Sequence, residues 1–188
     1  MALPVTLPGG AILRSLETGD APALLDAYLR NREHLRRFDP VRPEAFWTLA
    51  GQEQRLDSVL QQQSAGALLA TAMVRDGQVL GTAMLNTIVR GASCSASLGY
   101  WVAADTLRQG LASATVAALC RLADQELDLH RLSASTSPAN LASQGVLAKN
   151  GFEKFGFAER YLHINGAWSD AVLFQRILND RPPALPQF

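Results

Sequence analysis

Hydrophobic residues change their spacing several times along this chain, and each change marks an element. Alternation in Ile12-Leu13-Arg14-Ser15-Leu16-Glu17 predicts a first strand. Thr18-Gly19-Asp20 then offers turn chemistry, with Asp20 as N-cap of a helix from about Ala21 to Arg32 whose apolar face is Leu24, Leu25, Tyr28 and Leu29. The polar, proline-punctuated stretch from Arg36 to Pro43 reads as a long loop, and a second helix follows, ending in the exposed run Gln61-Gln62-Gln63. From Gly66 the period shortens. Leu68 to Val74 and Val79 to Val89 read as a hairpin, because Asp76-Gly77 supplies the positive φ angles of a tight turn, and Ser93 to Val102 follows as a third strand.

Helical spacing returns from Gln109 to about Leu127, where Val116, Leu119, Cys120, Ala123 and Leu127 form one stripe that must pack on a sheet. His130 to Thr136 is a strand, and Asn140 can cap a short helix that Asn150-Gly151 stops after Lys149. Phe152 to Ile164 and Trp168 to Leu178, around Asn165-Gly166, predict a closing hairpin before Arg181-Pro182-Pro183 ends regular structure. The sum is an α/β (α+β) fold: a mixed, mostly antiparallel central sheet of about seven strands flanked by helices, in one domain spanning residues 1–188.

Composition narrows the function. Lys plus Arg and Asp plus Glu number 17 each, so there is no global positive field to hold a nucleic-acid backbone or an anionic membrane. Cys94 and Cys120 fall in a strand-like segment and on a buried helix face, without metal-ligand spacing, and read as small core residues. The first ten residues lack a basic start followed by an apolar run, and no apolar stretch approaches the roughly 18–20 residues of a membrane span, so a soluble cytoplasmic protein is expected.

One junction carries chemistry. Between the strand Leu98-Gly99-Tyr100-Trp101-Val102 and the next helix, Arg108-Gln109-Gly110-Leu111-Ala112-Ser113 exposes helix-start N–H groups that suit a pyrophosphate. Gly110 lets the backbone approach an anion, and Ala112 keeps the next turn narrow. Phosphate loops of the nucleotide-binding kinds, Gly-x-x-x-x-Gly-Lys-Ser/Thr or Gly-x-Gly-x-x-Gly, are absent.

This order of elements, with Arg108 to Ala112 after a strand and Asn140 to Ser143 before Lys149-Asn150-Gly151-Phe152, resembles the GNAT superfamily of acyl-CoA-dependent N-acetyltransferases. The segments Gly151 to Leu162, Asn165 to Phe174 and Asn31 to Leu35 are similar to the branch containing the ribosomal-protein N-terminal acetyltransferases. The resemblance implies transfer of acetyl from acetyl-CoA to a primary amine, in a cleft where the Ser93–Val102 and His130–Thr136 strands splay apart. It implies that N–H groups from Gln109 to Ser113 hold the pyrophosphate and that the edge of Tyr100, Trp101 and Val102 pairs with the pantetheine arm. A Val102 N–H would polarise the thioester carbonyl. Asn140 and Ser143 would lie beside the pantetheine and the sulfur, with Ser143 as general acid, although Asn140 also reads as a plain N-cap and Ser143 as an ordinary first-turn residue.

The family's carboxylate before the Gly-Tyr pair is missing, since the chain reads Ser95-Ala96-Ser97-Leu98-Gly99-Tyr100. An α-amine, with a pKa near 8, has an appreciable neutral fraction without a strong base, whereas a lysine amine near about 10.4 does not. Water-relayed deprotonation and an N-terminal amine of a protein or peptide are therefore expected; a small amine or antibiotic acceptor, or a non-catalytic acyl-CoA sensor, are the alternatives. The resemblance places Tyr161 on the strand facing the cleft, where it would lend a hydroxyl, although it also reads as core or rim packing. His34, Glu33 and Asp39 are further candidates that also read as surface groups, and Asp170 reads as pairing across the tail hairpin. Arg36, Arg37 and Arg42 suggest a positive rim that disfavours polycationic acceptors. No metal is expected, and a homodimer is possible.

Overall fold

The computed structural model describes residues 3–183, and its organising element is an eight-stranded sheet in the order β1-β2-β3-β4-β5-β6-β8-β7. The strands are β1 Val5–Thr6, β2 Ile12–Ser15, β3 Leu69–Arg75, β4 Gln78–Val89, β5 Ser95–Val102, β6 Arg131–Thr136, β7 Glu153–Ile164 and β8 Ala167–Ile177. The two-residue β1, which pairs Val5 with Leu13, is the addition to the seven expected from periodicity. All neighbouring pairs are antiparallel except β5 with β6.

The sheet carries helices on both faces because its central strands alternate two sets of apolar side chains. Leu80, Ala83 and Leu85 of β4 join Leu98 and Leu132 against Val116, Leu119 and Ala123 of α4 (Leu111–Gln125), with α5 (Leu141–Lys149) beside it. Val79 of β4 and Ala70 and Ala72 of β3 pack instead on Leu24 and Tyr28 of α1 (Ala21–Arg30) and Leu56 and Val59 of α3 (Leu49–Ser64). Each fully buried Leu contributes about 2 kcal/mol. Cys94 and Cys120 are both buried, Cys94 in the turn just before β5, where its thiol donates to the Asp128 carbonyl at 3.1 Å. Among the described residues no helix is long and apolar enough to cross a membrane.

Three local expectations are corrected by tertiary contacts. The first helix stops at Arg30, and a second, α2 (Arg32–Arg36), starts after Asn31. The buried Asn31 side chain donates to the Ala27 carbonyl at 2.8 Å and accepts from the Ala104 N–H at 2.8 Å, so the break is pinned to the end of β5. Ala27 takes the place in the apolar stripe expected of Leu29, which is exposed. Gln63 is not solvated either: its Oε1 accepts from the Ala70 N–H at 2.7 Å.

Asp20 is the N-cap residue of α1, but its side chain makes no cap hydrogen bond. Its carboxylate accepts from both terminal nitrogens of Arg14 at 2.8 and 2.6 Å and from the Glu17 N–H at 2.8 Å. Burial pushes this carboxyl up, and the Arg14 guanidinium and the Glu17 N–H together outweigh burial and hold it below its ordinary range. A depressed folded pKa contributes stability above the unfolded value, which is lost as pH falls through the folded one. Asp20→Asn should therefore cost about 2 kcal/mol in denaturant titrations at neutral pH, and the gap from wild type should close as pH falls through and below the ordinary carboxylate range. A gap that persists in acid would remove the ion pair as its source.

Candidate active site

The parallel pair β5 and β6 is joined only at its start, by Ser95 with Arg131, Ala96 with Leu132 and Ser97 with Ser133. Beyond these rungs the strands diverge, while β5 stays paired to β4 as far as Val102 with Gly81. The gap opens into a cavity of about 880 Å³.

Hydrogen-bond phase decides what β5 shows to that gap. The Ala103 N–H donates to the Leu80 carbonyl at 2.7 Å, so the alternating residues Trp101 and Gly99 also turn their peptide groups toward β4. Tyr100 and Val102 consequently present N–H and C=O to the open edge. The Trp101 ring lies on the opposite face of the sheet from Tyr100, 5.0 Å from the Tyr28 ring. Of the three residues expected to form the edge, Trp101 therefore supplies cavity wall but not the edge's hydrogen-bonding groups.

At one end of the cavity stands the start of α4. Gly110 occupies its N-cap at φ 78°, with no side chain capping the helix, and the first helical bond runs from the Ala114 N–H to the Gly110 carbonyl. The N–H groups of Leu111, Ala112 and Ser113 thus lack intrahelical acceptors, and all three residues line the cavity. The Leu111 side chain is buried in the core, so it contributes main chain only. Arg108, at φ 62°, and Lys149 from the end of α5 add two cations to the same cavity wall. Gln109 is the exception: it lies outside the lining, and its side-chain amide donates to the Asp105 carbonyl at 3.0 Å. Asn150 ties the end of α5 to α4, donating to Ser113 Oγ at 3.2 Å, while its own carbonyl accepts from Arg176 Nη1 at 2.7 Å.

In the middle, Asn140 is both N-cap and wall, its Oδ1 accepting from the Ser143 N–H at 3.1 Å. Ser143 Oγ lies 3.0 Å from the Tyr100 hydroxyl, across the gap from β5. Burial pushes the Tyr100 phenol up, and its bond to Ser143 opposes this only in part.

The far end is closed by α2, the 36–43 loop and the β7–β8 hairpin. His34, Leu35, Arg37 and Asp39 line it on one side, Leu162, Ile164 and Asp170 on the other. The Asn165 N–H at the hairpin tip donates to the Asp39 carbonyl at 3.3 Å, joining the two walls. Tyr161 does not face the cavity as expected. A register shift between Ala158 and Leu162, with Arg160 at φ 50°, brings Leu162 and Ile164 to the cavity lining and leaves Tyr161 outside it. Asp170 holds that bulge by accepting from the Arg160 N–H at 2.9 Å, the pairing role expected of it.

The positive rim is also corrected. Arg42 donates to Asp39 at 2.9 Å and Arg36 approaches Glu33 at 3.7 Å, so Arg37 is the loop arginine that reaches the cavity. Ser97, in the stretch where the family carries its carboxylate, is exposed and outside the lining. Among the described residues no group of three or more His, Cys, Asp or Glu could hold a metal ion. Lys149 and the contact between Tyr100 and Ser143 were missed by sequence reasoning; the cation at the end of a capped helix is a signal for the first, and no local signal exists for the second.

Comparison with known proteins agrees with this geometry. Residues 11–153 match the family model described as an acetyltransferase (GNAT) domain. The [Ribosomal protein uS5]-alanine N-acetyltransferase of Escherichia coli is 31% identical over 164 residues, covering 86% of this chain and 84% of that protein. The crystal structure of ribosomal-protein-S5-alanine acetyltransferase from Vibrio fischeri superposes with a TM-score of 0.91 at 29% identity, covering 95% of this chain and 98% of that one. Mycobacterium smegmatis RimJ, in complex with CoA-disulfide, gives a TM-score of 0.87 at 28% identity over 93% of this chain and 86% of its own.

Proposed function

This chain belongs to the GNAT acetyltransferase family, and from that premise we propose that it transfers acetyl from acetyl-CoA to the N-terminal amine of a protein or peptide. The observation that carries the donor half is the cleft itself. A pyrophosphate fits the α4 start, where unpaired N–H groups, the helix dipole and the cations Arg108 and Lys149 act together. The amides of the pantetheine arm fit the outward peptide groups of Tyr100 and Val102 as an added strand would. Asn140 and Ser143 stand on the wall opposite that edge.

In this reading the neutral amine attacks the thioester carbonyl carbon, and the Val102 N–H stabilises the oxyanion as it forms. The C–S bond breaks, and the Ser143 hydroxyl donates to the departing sulfur. The ammonium proton leaves through water. Among the described lining residues the carboxylates are Asp39, bonded to Arg42, and Asp170, bonded to the Arg160 N–H. An α-amine with its pKa near 8 suits a site without a dedicated acid better than a lysine does. The names of the E. coli and V. fischeri relatives support the same acceptor class.

Release of free CoA thiol, measured across a panel of peptides beginning with Ala or Ser and a panel of small amines, tests the acceptor. Peptides should turn over at least about tenfold more efficiently in kcat/KM, a difference of about 1.4 kcal/mol in transition-state binding. Efficient turnover of small amines with silent peptides would overturn the acceptor. Tight acetyl-CoA binding without any thiol release would make the chain an acyl-CoA sensor instead.

A further inference from the structure

A serine that is to donate its proton to sulfur must not spend that proton elsewhere. The Tyr100 hydroxyl oxygen lies 3.0 Å from Ser143 Oγ and 3.3 Å from the Ser143 carbonyl oxygen. Two arrangements satisfy these distances. If the phenol donates to the carbonyl, Ser143 Oγ donates to the phenol and has nothing left for the cleft. If the phenol donates to Ser143 Oγ, which is the shorter contact, the serine proton is free to turn to another acceptor. The rest of the serine is fixed independently, because its N–H is held by Asn140 Oδ1 at 3.1 Å. Strand alternation keeps the Tyr100 ring on the α4 and α5 side, packed against the main core, while Trp101 goes to the other face.

We propose that Tyr100 is a positioning residue that donates its hydroxyl proton to Ser143 Oγ and so holds the Ser143 hydroxyl as a donor aimed at the thiol sulfur. The inference rests on the reading above, that Ser143 acts on that sulfur. The balance of the step is simple. The neutral amine nitrogen bonds to the carbonyl carbon, the C–S bond breaks with its electron pair on sulfur, and Ser143 passes its proton to sulfur. The proton that the new amide nitrogen loses leaves through water, which returns one to Ser143 Oγ, so the serine ends as it began. Tyr100 keeps its proton throughout, which suits a phenol that burial pushes upward.

The test is the ionisation of the thiol of bound CoA, followed by the ultraviolet absorbance of the thiolate as pH is raised, in wild type, Tyr100→Phe, Ser143→Ala and the double variant. Tyr100→Phe keeps the ring and its packing. A donor at the sulfur favours the thiolate, so each single variant should raise the bound thiol's pKa by about one unit, and the double variant should match the singles. Turnover should fall about 10- to 100-fold in each, with KM for acetyl-CoA within about threefold of wild type. If Ser143→Ala moves the thiol and Tyr100→Phe does not, Tyr100 has no positioning role while the part assigned to Ser143 stands. If neither moves it, the assignment of Ser143 to the sulfur fails, and this proposal with it.

Discussion

Gly110→Val should abolish measurable acetyl-CoA binding in a calorimetric titration, a loss of at least about a hundredfold, or roughly 2.7 kcal/mol. Gly110 sits at φ 78°, a region that β-branched residues avoid, and it is the N-cap of the helix whose N–H groups are the proposed pyrophosphate cradle. A Cβ built there meets nothing of the protein closer than Pro8 Cγ at 4.0 Å. The fold therefore tolerates the side chain sterically, and the cost to stability is the backbone strain of about 1–3 kcal/mol. The ligand does not tolerate it, because relaxing φ reorients the first turn of α4. A soluble variant with a melting temperature a few degrees lower and unchanged affinity would put the phosphate site elsewhere.

Gly81→Ala should be the most destabilising single methyl in the sheet. Gly81 lies at φ 153°, and a Cβ there would stand 2.2 Å from the Trp101 carbonyl oxygen and 2.9 Å from Val102 Cα. Both obstacles are main chain, so no rotamer can yield. The only relief is separation of β4 from β5, at the point where β5 has already parted from β6 and β4 alone supports it. A loss above about 4 kcal/mol in denaturant unfolding is expected, with poor recovery of folded protein. Any folded fraction should bind acetyl-CoA weakly, since Tyr100 and Val102 lose their register. Stability within about 1 kcal/mol of wild type would mean that the strands are not held as tightly as this contact requires.

These two glycines differ in how they could be read from the chain. Gly110 follows a strand and opens a helix, so local pattern was enough to mark it as an anion site. Gly81 sits in an apolar run, and its need for a missing side chain depends on Trp101, twenty residues on. The same division holds elsewhere. Asp76-Gly77, Asn150-Gly151 and Asn165-Gly166 ended or turned elements where expected, because positive φ is a local demand. The break at Asn31 was invisible, since its cause is an N–H at Ala104 on another element. Tyr161 falls outside the cavity because period-two alternation assumes an unbroken ladder, and a bulge resets it. A sequence presents the charges of the 36–43 loop singly, whereas folding pairs Arg42 with Asp39 and Arg36 with Glu33.

The splayed strands have one more consequence. On the proposed reading, the donor is gripped by peptide N–H and C=O groups of Tyr100, Val102 and the first turn of α4, with Arg108 and Lys149 nearby. Peptide groups do not titrate. The main-chain part of the grip on the donor is thus insulated from acidity. On this reading, sensitivity to acidity is left to the acceptor end of the cleft and to the amine it receives.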